Sequence, residues 1–161
     1  MAALIAREGL DVAGKQALGH YTHEKSPVGC AAGLSTIAYI ENNGLVAHAR
    51  ELGNYALGQL REMQRRHSLI GDVRGLGLFL GVELVKDPDT RERAIDEAEA
   101  VMYAALARGL SFKLTMGNII TLTPPLTITE AEMNAALDML EAAISEVEKE
   151  DIMPETSDKE F

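Results

Sequence analysis

Residues 69–85 read Leu69-Ile70-Gly71-Asp72-Val73-Arg74-Gly75-Leu76-Gly77-Leu78-Phe79-Leu80-Gly81-Val82-Glu83-Leu84-Val85. Branched and aromatic apolar residues alternate in part with glycine and charge, as in strands with one buried face. The stretch predicts two strands meeting near Arg74-Gly75. Gly75, Gly77 and Gly81 fall as G-x-G-x-x-x-G, one residue away from the dinucleotide-binding pattern, and they do not open a helix. Close backbone packing or a bulge accounts for them better.

Beyond this pair, Lys86-Asp87-Pro88-Asp89 reads as a turn, and Thr90 as the cap of a helix over 91–108. Ala94, Ala98, Val101, Met102 and Ala105 share one face of it, and Gly109 ends it. Two short strands, 110–114 and 118–122, follow, joined by a turn at Met116-Gly117. Pro124-Pro125 stops the ladder. Thr129 with Glu132 three residues on forms a capping box for a last helix to about residue 147. Upstream, 28–67 is helical, opening on Pro27 and interrupted at Asn42-Asn43-Gly44. A strand is expected at 3–6, and the polar stretch 20–27 reads as a loop. The fold class is thus α+β, a small, largely antiparallel sheet covered by helices and preceded by a long helical segment.

The 161 residues are 47% apolar and 25% charged, the makeup of an ordinary globular domain. No run approaches the ~20 apolar residues of a membrane span. A net charge of −10 argues against nucleic acid, since phosphate binding needs a basic surface. Seven acids against two lysines in 146–161 give a net of −5, a solvated, poorly ordered tail. One cysteine, Cys30, and no signal-peptide pattern fit a cytoplasmic protein.

Common catalytic motifs are missing: no P-loop, no G-x-S-x-G, no H-E-x-x-H, no C-x-x-C. His20, His23 and Glu24 share one short loop without a distant partner, which makes a weak metal site, and none is assigned. His48 and His67 read as surface residues. Thr22 is a loop hydroxyl, ordinarily a turn or cap residue, although a hydroxyl beside free N–H groups also suits a phosphate oxygen.

Four segments resemble the C-terminal portion of the class III aminotransferases, fold-type-I enzymes of pyridoxal 5'-phosphate (PLP) that include 2,2-dialkylglycine decarboxylase and 4-aminobutyrate aminotransferase. They are His20-Tyr21-Thr22-His23-Glu24-Lys25-Ser26-Pro27 running into Cys30-Ala31-Ala32; Ile70-Gly71-Asp72-Val73-Arg74-Gly75-Leu76-Gly77-Leu78 with Gly81-Val82-Glu83; Thr123-Pro124-Pro125-Leu126-Thr127-Ile128-Thr129-Glu130; and Ala2-Ala3-Leu4-Ile5-Ala6-Arg7. The second is the most specific, and together they cover about residues 2–148. The resemblance implies a remnant of the PLP-binding large domain at 1–27, an interdomain helical segment at 28–68, a small domain at 69–148 and an acidic tail at 149–161. It places Thr22 on the PLP phosphate across a homodimer interface, and gives Arg74 a structural role.

Two departures stand out. The family's Schiff-base lysine belongs upstream of the segment matched by residues 2–7, with the acid on the pyridinium nitrogen and the ring-stacking aromatic; Lys15, Lys25 and Lys113 lack its motif context. No catalytic residue is therefore assigned, and the chain is expected to be inactive alone, needing a large domain. Secondly, many members place a carboxylate-clamping arginine three residues before the Pro-Pro pair, where this chain has Thr121. A parent enzyme of this kind is expected to hold its substrate's anionic group elsewhere, as for an aminophosphonate or phosphorylated amine, or to take a plain amine. The resemblance implies transfer of an amino group between an amine or amino acid and a keto acid. The alternatives are a lyase or decarboxylase of the same family, favoured slightly by the wording of 111–125, or a non-enzymatic self-association module.

Overall fold

A computed structural model describes residues 7–10 and 26–152, with side chains through residue 149. The chain divides into two units, 1–44 and 45–161. The expected strand at 3–6, the 20–27 loop through Lys25 and the tail beyond 152 lie outside the described residues.

In the first unit a 3-10 turn, Glu8–Leu10, is followed by helix α1, Pro27–Asn42. Ser26 caps α1 by accepting from the Gly29 N–H, with Pro27 where no amide hydrogen is needed. Asn43 and Gly44 end it through bonds to Tyr39 and Glu41, and Gly44 takes φ +62.

The second unit begins with α2, Leu45–Arg66, so the interruption falls where the sequence placed it. Then come β1 Ile70–Leu76, β2 Phe79–Leu84, α3 Ile95–Ala107, β3 Lys113–Thr115, β4 Ile119–Leu122 and α4 Glu130–Ile152. All strand pairs are antiparallel, in the order β1-β2-β4-β3. Successive residues on a strand face opposite sides, so the register sorts the sheet into rows. Val73, Val82, Ile120 and Leu114 form one row across all four strands, buried or partly buried. Leu52, Ala56, Leu60 and Met63 of α2, Ala98, Val101 and Ala105 of α3, and Leu137, Leu140 and Ile144 of α4 join them in one core. On the opposite face the matching row is Arg74, Gly81, Thr121 and Lys113.

Several local expectations are corrected. The β1–β2 turn is Gly77-Leu78, not Arg74-Gly75: Gly77 takes φ +55, and Leu76 pairs with Phe79 around it. A Cβ on Gly75 would stand 2.6 Å from Leu80 Cδ2 and 2.7 Å from the Phe79 carbonyl, so that glycine serves close packing. The bulge is at Gly71, where the register shifts between Ile70 and Asp72.

Helix α3 starts at Ile95, four residues later than expected, and Thr90 is not its cap. Asp87 Oδ1 takes the N–H groups of Asp89 and Thr90, and the next residues run beside the end of β2, with Lys86 N–H on Glu92 O and Ala94 N–H on Leu84 O. Pairing with the sheet overrides the local cap. The far end agrees: Gly109 at φ +92 closes a Schellman motif, Leu110 N–H on Ala105 O and Gly109 N–H on Leu106 O. Strand β3 is shorter than expected and begins at Lys113, while Met116 and Gly117 turn with positive φ as read. The capping box forms: the Glu132 N–H donates to Thr129 Oγ1 at 3.2 Å, and Thr129 N–H to Glu132 Oε2 at 2.8 Å. The Thr129 N–H and then the Thr129 hydroxyl, both donating to Glu132 Oε2, hold that carboxyl below its usual range. Helix α4 continues to Ile152, past the expected end near 147.

Candidate functional site

Thr121 lies on β4, half-buried, directly opposite Lys113 of β3 and Gly81 of β2. Its hydroxyl meets that of Thr115 at 2.7 Å, where either group can donate. No guanidinium is available from this position: the cross-strand neighbours are a lysine and a glycine. Segments 109–113 and 121–125 and one side of α4 enclose a cavity of about 400 Å³, lined by Ser111, Lys113, Thr121, Thr123, Pro124 and Pro125 in front of an apolar wall. Pro124-Pro125 ends the β4 ladder, which lets the chain turn away and open this space.

Arg74, in the same cross-sheet row, is occupied. Its Nη1 donates to Asp72 Oδ2 at 2.5 Å and Glu83 Oε2 at 2.7 Å. The two carboxylates raise its pKa, chiefly through these hydrogen bonds, Glu83 first. A guanidinium bound on both sides ties β1 to β2, the structural part expected of it.

The histidines differ from the surface reading. His67 is buried just beyond the end of α2, with Nδ1 2.6 Å from Glu148 Oε2 and Nε2 3.3 Å from Glu141 Oε1. Glu148 Oε1 also accepts from the Leu69 N–H at 3.0 Å. Burial pushes the Glu141 carboxyl up, but Arg66 and His67 outweigh it and hold that group below its usual range. This cluster latches α2 to α4. His48, half-buried, places Nε2 2.8 Å from Ile128 O. Sequence reasoning missed both, since the partners lie some eighty positions away. Asn118, read only as a strand residue, is buried as well, donating to Leu84 O and accepting from Arg93 Nε.

Thr22, His20, His23 and Glu24 fall outside the described residues. The described lysines, Lys86, Lys113 and Lys149, are all exposed. Lys86 lines an open surface pocket with Glu97 and His67, and Lys113 lines another with Glu99 and Phe112. None of the described residues is assigned the role of the cofactor's covalent seat. Among them, no cluster of His, Cys, Asp or Glu is arranged to hold a metal ion, and no helix is long and apolar enough to cross a membrane.

A four-stranded antiparallel sheet under three helices is the architecture of the C-terminal domain of fold-type-I aminotransferases. The solved transaminase of the marine bacterium Virgibacillus superposes with a TM-score of 0.78 at 28% identity, over 83% of this chain and 32% of that one. A phospholyase from Arthrobacter, solved with phosphoethanolamine, gives 0.71 at 28% identity, over 74% and 29%. In sequence, the profile of the class-III aminotransferases matches residues 3–144, and the chain belongs to that family. The (R)-1-hydroxy-2-aminoethylphosphonate ammonia-lyase of Vibrio splendidus (strain 12B01) is 47% identical over 150 residues, 93% of this chain and 31% of that protein. The chain thus spans about a third of the length of the curated relatives it matches.

Proposed function

We propose that these residues form the small-domain portion of a PLP-dependent lyase that releases ammonia from an amine carrying a phosphonate or phosphate group. The observation that carries this reading is Thr121. At the position where the family resemblance puts a carboxylate clamp, the chain offers a hydroxyl bonded to a second hydroxyl, Thr115, which has neither the charge nor the fork that a carboxylate needs. A 47% identical relative named for a hydroxy-aminoethylphosphonate, and a structural neighbour solved with phosphoethanolamine, support the same substrate class.

When bound, PLP supplies an electron sink for the carbon that bears the amine. The parts assigned to this chain are positional. Thr22 donates to the cofactor phosphate across a homodimer interface, residues 28–68 link the domains, and the loop through Thr123 and Pro124 walls the substrate end. The catalytic lysine belongs to a large domain, so these residues alone are inactive. A cytoplasmic setting fits the single cysteine, Cys30.

A second reading, transamination with a keto acid, is supported by the likeness to solved transaminases. The experiment that separates them joins the chain to a family large domain and measures ammonia released from O-phosphoethanolamine and 2-amino-1-hydroxyethylphosphonate with no keto acid present. Release supports the lyase. Turnover only of carboxylate amino acids, and only with a keto-acid acceptor, refutes it.

A further inference from the structure

The 400 Å³ cavity beside β3 and β4 has a lining unlike the rest of this acidic chain. Its one ionisable lining residue is Lys113, with Ser111, Thr121 and Thr123 as hydroxyl-bearing residues and no carboxylate; Lys113 also lines a neighbouring open pocket that holds Glu99. Lys113 is exposed and forms no ion pair among the described residues, although the chain carries 25 acids. It stands directly across from Thr121 in the β3–β4 ladder, so the two Cβ atoms are roughly 5 Å apart. With Thr115 donating to Thr121, the Thr121 hydroxyl keeps its own hydrogen for an acceptor in the cavity.

We propose that Lys113 is the anchor of a tetrahedral oxyanion, the phosphonate or phosphate-monoester end of the substrate, with the hydroxyls of Ser111, Thr121 and Thr123 as its further donors. For the identity of the substrate the assignment rests on the lyase reading; the anion site rests on the cavity alone. An ammonium is a compact point charge with three rotatable donors, whereas the flat fork of a guanidinium matches a carboxylate. One ammonium and hydroxyls from two strand ends approach from different directions, which suits an anion with three oxygens at tetrahedral angles better than a planar one. A positive charge is thereby restored one strand away from position 121.

The test is a titration of the 161-residue chain with methylphosphonate, inorganic phosphate and acetate, followed by the backbone amide signals of 109–125. Methylphosphonate and phosphate shift these signals, and acetate binds more weakly. Lys113→Met weakens both tetrahedral anions by roughly tenfold or more, the loss expected for one charge-assisted bond. Lys113→Arg, which keeps the charge, stays within a few-fold of the parent. The proposal is overturned if the signals of 109–125 do not move, if acetate matches methylphosphonate, or if Lys113→Met binds as the parent does. Both variants alter an exposed strand residue, and an unchanged amide spectrum elsewhere verifies the fold. A Lys113-dependent response in a protein that fails to turn over phosphorylated amines supports the anion site and sinks only the substrate reading.

Discussion

Gly53 and Gly58 lie on the same helix, α2, and their replacement by alanine is predicted to act in opposite directions. A Cβ on Gly53 would stand 2.1 Å from the Gly77 carbonyl oxygen, 2.3 Å from its carbon and 2.7 Å from its Cα. All three are backbone atoms of the β1–β2 turn, so no side chain can swing aside. The helix or the turn must move, and overpacking of this kind costs about 1–3 kcal/mol, more than the ~1 kcal/mol that alanine gains over glycine in a helix. Gly58 is exposed with nothing within 4 Å of a new Cβ, so Gly58→Ala keeps the full helical gain. The helical gain is common to both variants, so they are expected to differ by the overpacking cost, roughly 1–3 kcal/mol. With a urea slope of about 2 kcal/mol per molar, their unfolding midpoints separate by about 1 M. Circular dichroism in urea measures this directly. If Gly53→Ala unfolds at or above the midpoint of Gly58→Ala, the close approach of α2 to the hairpin is wrong.

Removing the Glu148 carboxylate (Glu148→Ala) strips the Leu69 N–H and His67 Nδ1 of their acceptor, and a loss of about 2 kcal/mol is expected in the same urea assay. Leu60→Ala, at a fully buried core position, is expected to cost about 2–5 kcal/mol. Thr129→Ala removes the cap of α4 and costs about 1 kcal/mol, read as a lower thermal midpoint. Glu141 has a folded pKa below its ordinary 4.5, so its contribution is present above that pH and is lost as pH falls through the folded value. Stability therefore declines in acid, and Arg66→Met, which removes the first of the two hydrogen-bond partners responsible (Arg66, then His67), flattens that decline in urea midpoints taken from pH 6 to pH 3. In a protein complete with its large domain, Thr22→Val is expected to weaken PLP binding by about tenfold, measured by cofactor fluorescence.

Sequence reading reached the architecture because its signals were local. Proline and glycine marked the bounds of α1, and Thr129 with Glu132 marked the start of α4. The misreadings share a cause. Gly75 and Gly77 look alike in sequence, and Gly77 is singled out as the turn by its positive φ, the Leu76–Phe79 pairing and the packing of Gly53 of α2 against it. Thr90 has the chemistry of a cap, but Asp87 and the end of β2 take the main chain first. His67 looks like any polar helix-end residue until Glu148 folds back on it. Of the candidate site, Thr121 was legible through a motif, whereas Lys113 carries no motif and becomes visible only through the β3–β4 register.

The substrate's anionic end is the point on which the functional account stands. The most direct measurement compares kcat/KM for O-phosphoethanolamine, 2-amino-1-hydroxyethylphosphonate, L-alanine and 4-aminobutyrate, using the chain joined to a family large domain with PLP. The account predicts ammonia release from one or both of the first two without a keto acid, and little turnover of the carboxylates. A preference for L-alanine or 4-aminobutyrate that requires a keto acid contradicts it.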